Sequence, residues 1–185
     1  YQNNLYNVSA VLYDGNILGI VPKYHIPNYN EYYEGRRFTP CFEDNIEIEL
    51  FGQIVLFGRK VVFACQKLPS FTLGVEICED LWSVIPPSSN HSLAGATIIA
   101  NPSAGNEITG KDSYRLSLVS SQSAKTISSY IYTCAGYGES TTDVVFSGHN
   151  IICENGTVLA TAKRFENGIV YGDVDVFKIA SERQK

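Results

Sequence analysis

Hydrophobic and polar positions alternate along the first third of the chain with the period of strands. Tyr6 to Tyr13 (YNVSAVLY) and Asn16 to Val21 (NILGIV) flank Asp14-Gly15. That dipeptide suits the φ > 0 positions of a tight turn, so the spacing predicts an opening β-hairpin. Lys23 to Cys41 breaks the pattern with Tyr, Asn, Pro and charge in no clean period. It reads as a long structured loop, a kind of segment that often carries function in a compact domain. Ile46 to Leu50, Ile54 to Phe57 and Lys60 to Cys65 follow as predicted strands, and Thr72 to Cys78 (TLGVEIC) as a buried strand ending at a polar break. Pro86-Pro87-Ser88-Ser89 predicts a helix start, with Ser88 or Ser89 as N-cap before His91 to Gly95.

The second half alternates element types. Ala96 to Ala100 (ATIIA) reads as a strand buried on both faces, and the polar segment Asn101 to Gly110 after it lies where ligand-facing loops often sit. Asp112 to Ser129 is the clearest helix, with Leu116, Val119, Ser120, Ser123, Ala124 and Ile127 on one face at spacings of three and four. Tyr130 to Ala135 is a predicted strand and Gly136 to Thr142 a turn. Asp143 to Phe146 and Asn150 to Cys153 are predicted strands, Glu154-Asn155-Gly156 a hairpin turn, and Val158 to Ala162 and Ile169 to Val176 the last strands before a helix over Phe177 to Lys185. Strands interleaved with helices and several hairpins predict an α/β layered protein with mixed sheets.

Composition narrows the classes. A chain of 185 residues that is 44% hydrophobic can bury one sizeable core. Fourteen Lys+Arg against nineteen Asp+Glu, a net charge of -5, leave no basic excess to neutralise phosphates. Neither nucleic acid nor an anionic membrane is therefore an expected partner. No apolar run approaches the ~20 residues of a membrane span. The five cysteines are odd in number and contain no CxxC pair, which argues against a disulfide framework or zinc ribbon and for a reducing, cytoplasmic home. No metal-ligand pair, GxGxxG or GxxxxGK[ST] is present, so no metal or nucleotide cofactor is expected in this chain. It begins at Tyr1 and contains no methionine, and a piece of a longer polypeptide is the expectation.

Candidate chemistry centres on Cys78, the one cysteine at a strand-to-loop junction followed at once by acidic residues (Glu79-Asp80). A thiol at a strand end beside backbone N–H donors, with a cation near, suits an acyl-transfer nucleophile; the alternative is a buried packing cysteine. His25, His91 and His149 show no recognisable spacing to it. Lys23, after an apolar strand and opening the aromatic loop, is either a cation held close to developing charge or a solvated strand-end lysine.

Val21-Pro22-Lys23, Pro27-Asn28-Tyr29, Tyr32-Tyr33-Glu34 and Gly74 to Trp82 (GVEICEDLW) resemble, in that order, the glutaminase domain of glutamine-dependent NAD synthetases, within the nitrilase (carbon–nitrogen hydrolase) superfamily. Leu93 to Ala96, Asn101-Pro102-Ser103, Gly110-Lys111, Tyr114-Arg115, Gly136 to Asp143 (GYGESTTD), Gly148-His149 and Glu154-Asn155-Gly156 extend the resemblance over the whole chain. It implies a four-layer α-β-β-α sandwich and a Cys-Glu-Lys set in place of Cys-His. On this resemblance Cys78 attacks the side-chain amide of glutamine, Lys23 stabilises the oxyanion and Glu34 supports them. Tyr29, Tyr32, Glu79 and Lys111 line the glutamine pocket; relatives often carry Arg at the Lys111 position and Ser where this chain has Gly105. The resemblance also implies a general-base glutamate well N-terminal of Lys23 and a C-terminal synthetase domain using ATP, Mg and deamido-NAD. Both are expected outside these 185 residues, making the chain an interior fragment of one nitrilase-like domain, inactive alone. Its expected partners are glutamine, the synthetase domain and further copies in a homo-oligomer. A stand-alone amidase of the superfamily and a non-catalytic oligomerisation module are the alternatives.

Overall fold

In the computed structural model, which describes residues 1–42 and 44–185, these residues form twelve strands and three α-helices. The first strands are β1 (Val8–Tyr13), β2 (Asn16–Pro22), β3 (Asn28–Tyr29), β4 (Tyr32–Tyr33), β5 (Ile46–Leu50), β6 (Gln53–Phe57), β7 (Val62–Ala64) and β8 (Thr72–Val75). After α1 (Pro87–Leu93) come β9 (Ile98–Ser103), α2 (Lys111–Thr126), β10 (Ser129–Cys134), β11 (Ile151–Glu154), β12 (Thr157–Thr161) and α3 (Val176–Glu182). One mixed sheet has the order β1-β2-β6-β5, the other β12-β11-β10-β9-β8-β7, and β3 pairs with β4 as a small ribbon.

The hairpins form where the turn residues demand them. Asp14 and Gly15 take φ of 48° and 74°, and Asn155 and Gly156 take 44° and 86°. Both central positions thus have the positive φ that matches the twist of paired strands. In β5 the alternation of Ile46, Ile48 and Leu50 with Glu47 and Glu49 puts the apolar set around Ile20, Val55 and Phe57. That core belongs to the first sheet. A second core joins Ile99, Tyr130, Tyr132, Ile151 and Cys153 of the six-stranded sheet to Val119 of α2 and Leu81. Gly19 of β2 meets the Phe63 ring of β7, where a Cβ would lie 2.9 Å from Cε1, so the two sheets touch there with the ring lying on the glycine backbone. The described residues supply the helices and both mixed sheets of the expected sandwich, with α1 and α2 packed on the six-stranded sheet.

Some predicted elements differ. Asp143 to Phe146 is not a strand: the N–H groups of Asp143 and Val144 donate to Thr141 Oγ1 and that of Phe146 to Ser140 Oγ, so hydroxyls satisfy the backbone in place of a neighbouring strand. Ile169 to Val176 stays irregular up to α3, with Ile169 and Tyr171 exposed. The N-cap of α1 is Pro86 without a side-chain cap, because the Ser88 N–H is taken by the Glu76 carboxylate. The buried face of α2 carries Arg115, Gln122 and Thr126 beside Val119 and Ser123, while Ala124 is exposed.

The central strands β8, β9 and β10 run parallel. Cys78 follows the carboxyl end of β8, Asn101 and Ser103 lie at that of β9, and Lys23 follows the end of β2 in the other sheet. Strand ends of an α/β sheet are where ligands bind.

Candidate active site

Past Val75 the chain stays extended through Ile77 (φ -122°, ψ 117°) and then turns sharply: Cys78 has φ of 49° and opens a 3₁₀ turn, Cys78–Trp82. A left-handed conformation costs a residue with a Cβ about 1–2 kcal/mol and persists only where the surroundings fix it. Asp80 does part of this. Its Oδ2 accepts from the Ile77 N–H at 2.9 Å, and its Oδ1 accepts from the N–H groups of Tyr24 and His25 at 3.2 and 2.8 Å. One carboxylate thereby ties the cysteine turn to the segment that follows Lys23. Burial raises the Asp80 pKa above the ordinary carboxylate range, against the bonds from His25 and Ile77. The Cys78 N–H donates to Asn101 Oδ1 at 2.9 Å.

The sequence left Lys23 as either solvated or held near the chemistry, and the fold decides. Its side chain is 1% exposed, and Nζ donates to both oxygens of Glu34 at 2.7 and 2.9 Å. Asn7 Nδ2 donates to the same carboxylate at 3.4 Å. Lys23, Glu34 and Cys78 line one cavity of about 460 Å³ with Asn7, Ser103 and Ala104. Cys78 itself is 8% exposed and lines this cavity. The other four cysteines do not line this cavity.

Tyr29, Tyr32, Glu79 and Lys111 stand outside that lining and form a second group joined to it at the Cys78-Glu79 peptide. Tyr29 donates its hydroxyl to Glu79 Oε1 at 2.8 Å. Lys111 Nζ lies 5.1 Å from the Trp82 ring and 5.9 Å from that of Tyr32, and donates to Asn106 Oδ1. The Cys78 thiol is near enough to act electrostatically on Tyr29, Tyr32 and Lys111. Burial pushes the Tyr32 hydroxyl up to about 12 and raises Tyr29 as well, so both hydroxyls are neutral near neutral pH. Burial, then the Arg115 guanidinium, lowers the Lys111 pKa. Lys111 opens α2, where the helix dipole disfavours a cation. Helix stability does not explain its position, and Glu31 and Glu79 act on it electrostatically.

Residues that sequence reasoning did not single out complete the site. Asn106 is 4% exposed: its backbone N–H donates to Tyr32 Oη at 2.7 Å, its carbonyl accepts from Arg115 at 2.9 Å, and its side chain bonds both Glu31 and Lys111. Asn101 holds the Cys78 amide, and Glu76 lies wholly buried two residues before the thiol, its pKa pushed by burial up to about 7 against bonds from Tyr130 and Ser88. Asn101 and Asn106 fall in the polar segment after β9 that the sequence marked as ligand-facing; nothing in the local pattern pointed to Glu76. Two of the three histidines serve elsewhere, His91 Nε2 pairing with the Arg59 carbonyl at 2.8 Å and His149 Nδ1 with Arg115 at 3.0 Å, while His25 meets the cysteine turn through its backbone N–H on Asp80. Among the described residues no group of three or more His, Cys, Asp or Glu could hold a metal ion.

The arrangement can therefore present a thiol, a buried ammonium and a carboxylate to one small ligand, with a separate carboxylate and ammonium beside them. Comparison with known proteins matches residues 1–184 to the family described as carbon-nitrogen hydrolase. The chain is 41% identical over 185 residues to the glutamine-dependent NAD(+) synthetase of Mycobacterium tuberculosis, covering 99% of this chain and 27% of that protein. It is 31% identical over 177 residues to that of Thermotoga maritima, covering 95% and 27%. The chain thus spans about a quarter of the length of these relatives. Among solved structures it superposes on a glutamine-dependent NAD(+) synthetase from Cytophaga hutchinsonii with a TM-score of 0.74 at 25% identity, over 86% of this chain and 25% of that one. A carbon-nitrogen hydrolase from Helicobacter pylori gives 0.77 at 21% identity, over 100% and 61%, a likeness of fold.

Proposed function

The chain belongs to the carbon–nitrogen hydrolase family, and from that premise we propose that it is the glutamine-hydrolysing part of a glutamine-dependent NAD synthetase. In this reading it releases ammonia from the side-chain amide of glutamine, and a synthetase domain of the same polypeptide uses the ammonia to amidate deamido-NAD with ATP and Mg. The observation that carries the proposal is the cavity in which Cys78, held in a left-handed turn, shares a wall with the buried Lys23–Glu34 pair.

The Cys78 sulfur attacks the amide carbon, and the carbonyl oxygen takes up the electron pair. Lys23, held in place by Glu34, and the backbone N–H after the nucleophile stabilise that oxyanion. The intermediate collapses with cleavage of the C–N bond, and the proton lost by the thiol, carried by the general-base glutamate that the resemblance places N-terminal of Lys23 outside these residues, leaves on the ammonia. A thioester remains on Cys78, and water hydrolyses it to glutamate and free thiol. Glu79, oriented by Tyr29, is suited to the substrate ammonium and Lys111 to its carboxylate. Selectivity for an amino-acid amide over a simple amide follows from that pair of opposite charges. The synthetase relatives named above support this choice over a stand-alone amidase.

A chloroketone analogue of glutamine tests the reading by mass spectrometry, alongside ammonia release. The expected result is one adduct on Cys78, prevented by glutamine but not by asparagine and absent from Cys78→Ala. Equal labelling of Cys65, or equal protection by a neutral aliphatic amide, would overturn it, the latter in favour of a general amidase.

A further inference from the structure

Behind Cys78, away from the cavity, a fully buried carboxylate is connected to the nucleophile's backbone. The Cys78 N–H donates to Asn101 Oδ1 at 2.9 Å, Asn101 Nδ2 donates to Tyr130 Oη at 2.9 Å, and the Tyr130 hydroxyl donates to Glu76 Oε1. Glu76 Oε2 accepts from the Ser88 N–H at 2.6 Å. Glu76 is 1% exposed, and Tyr130 and Asn101 are 0%. The connection runs sideways from the segment after β8, through Asn101 in β9, to Tyr130 in β10, the three parallel strands whose ends carry the site. We propose that Glu76, Tyr130 and Asn101 are positioning residues, a polarised hydrogen-bond chain that fixes the amide of Cys78 and with it the left-handed turn that aims the thiol at the cavity.

The polarity of the chain is dictated by its ends. Both ends are backbone N–H groups, which only donate. Asn101 must therefore turn its carbonyl oxygen to Cys78 and its amino group to Tyr130. The tyrosine oxygen then accepts, so its own proton must go to residue 76. A carboxylate is the side chain that accepts from Tyr130 and from Ser88 at once with no proton left over. A carboxamide at position 76 cannot do this: its amino group faces either the Ser88 N–H, donor against donor, or a tyrosine oxygen already supplied by Asn101. A buried carboxylate is an expensive way to fill space, and among the described residues no cation forms an ion pair with Glu76. Apolar packing alone, which Leu81, Ile99 and Ile151 already supply here, does not need it. Fixing a strained nucleophile does.

The same logic yields a charge-swap test that combines Glu76→Gln with Asn101→Asp. The carboxylate now at position 101 accepts from Cys78 and from Tyr130, the tyrosine oxygen accepts from the carboxamide now at position 76, and the carbonyl of that carboxamide accepts from Ser88. Every bond returns with the tyrosine proton reversed. Iodoacetamide alkylation of Cys78 at about pH 8, above the value near 7 at which Glu76 becomes the carboxylate the chain requires, would be timed for the wild type, Tyr130→Phe, Glu76→Gln, Asn101→Asp and the double variant. Each protein would also be measured for melting temperature, and the same substitutions in the full-length polypeptide for kcat and KM on glutamine. Tyr130→Phe and the two single charge variants are expected to lower the alkylation rate and kcat about tenfold to hundredfold, with KM within about twofold, because misplacing a reacting atom acts on the chemical step. The double variant is expected to recover at least about tenfold over either parent single variant, which a purely space-filling role would not produce. A double variant no faster than the slower single variant would overturn the proposal. So would a Tyr130→Phe protein that melts and alkylates like the wild type, a result that decides the matter even if the charge variants fail to fold. The inference rests on the glutamine reading for its kinetics only. If the full-length wild type, which carries the N-terminal general base, releases no ammonia, that reading fails, while the alkylation rates still test the chain.

Discussion

Glu34→Gln is expected to destabilise the protein more than Lys23→Met, although each removes the same ion pair. Lys23 Nζ lies 2.7 Å from Glu34 Oε1, and the side chains are 1% and 24% exposed. At that distance, 2.7 Å, and an effective dielectric of ~20, the attraction is about 6 kcal/mol. Against it stands a desolvation penalty of several kcal/mol that falls almost wholly on the lysine. A carboxamide at position 34 keeps an acceptor but loses the charge, so a buried ammonium remains with its penalty uncompensated, at a cost of about 3 kcal/mol. A methionine side chain at position 23 fills the space of the lysine stem and leaves a carboxylate that water and Asn7 can reach, at a cost of about 1 kcal/mol. Urea unfolding with equal m-values reads the difference of about 2 kcal/mol, which for a chain of this size is about 4–8 °C in Tm. Both variants are expected to lose ammonia release. If Lys23→Met is as destabilising as Glu34→Gln, the assignment of the buried charge to the lysine is wrong.

Four more outcomes follow from the geometry. Cys78→Gly should be about 1 kcal/mol more stable than Cys78→Ala, because φ of 49° strains any residue with a Cβ; equal urea midpoints would mean the turn is relaxed. Gly74→Ala puts a Cβ 2.8 Å from His91 Cβ and should cost about 1–3 kcal/mol by overpacking β8 against α1, read as a lowered Tm. Lys111→Met should raise KM for glutamine about tenfold or more with a smaller change in kcat, and an unchanged KM would remove Lys111 from the pocket. Glu76 is pushed up to about 7 by burial, so the folded protein holds a proton there that the unfolded chain releases near the ordinary carboxylate value. Its contribution is fully present below that value and is lost as pH rises through about 7, and Asp80, also raised by burial, acts in the same direction. The urea midpoint of the wild type should therefore fall over this window, by up to about 3 kcal/mol from Glu76. Glu76→Gln should flatten the dependence, and an equal slope in the variant would contradict the assignment.

Period-two alternation and turn dipeptides made the hairpins at Asp14-Gly15 and Asn155-Gly156 legible in the sequence, because both signals act within a few residues. The same local reasoning found β5, β6, β9 and α2 and put Cys78 at a strand end. It failed at Asp143 to Phe146, where Thr141 and Ser140 hydroxyls outcompete a partner strand, and on the face of α2, where buried partners admit Arg115 and Gln122. Neither competitor has a signature in hydrophobic periodicity.

What the sequence determined by itself is the set of chemical groups and their order: a thiol before two acids, a lysine closing an apolar strand, an aromatic loop, and a motif order that pointed to one family. Only the tertiary structure decided which of these meet. Lys23 and Cys78 follow strands of different sheets, and whether the lysine was solvated or buried could not follow from its neighbours along the chain. The choice was made when Asp80 drew the Tyr24 and His25 amides to the cysteine turn and Glu34 closed over the ammonium. Hydrophobic patterning and turn chemistry are local and survive in the unfolded chain. Burial of a charge, and the pairing that makes it tolerable, exists only once distant segments have excluded water together.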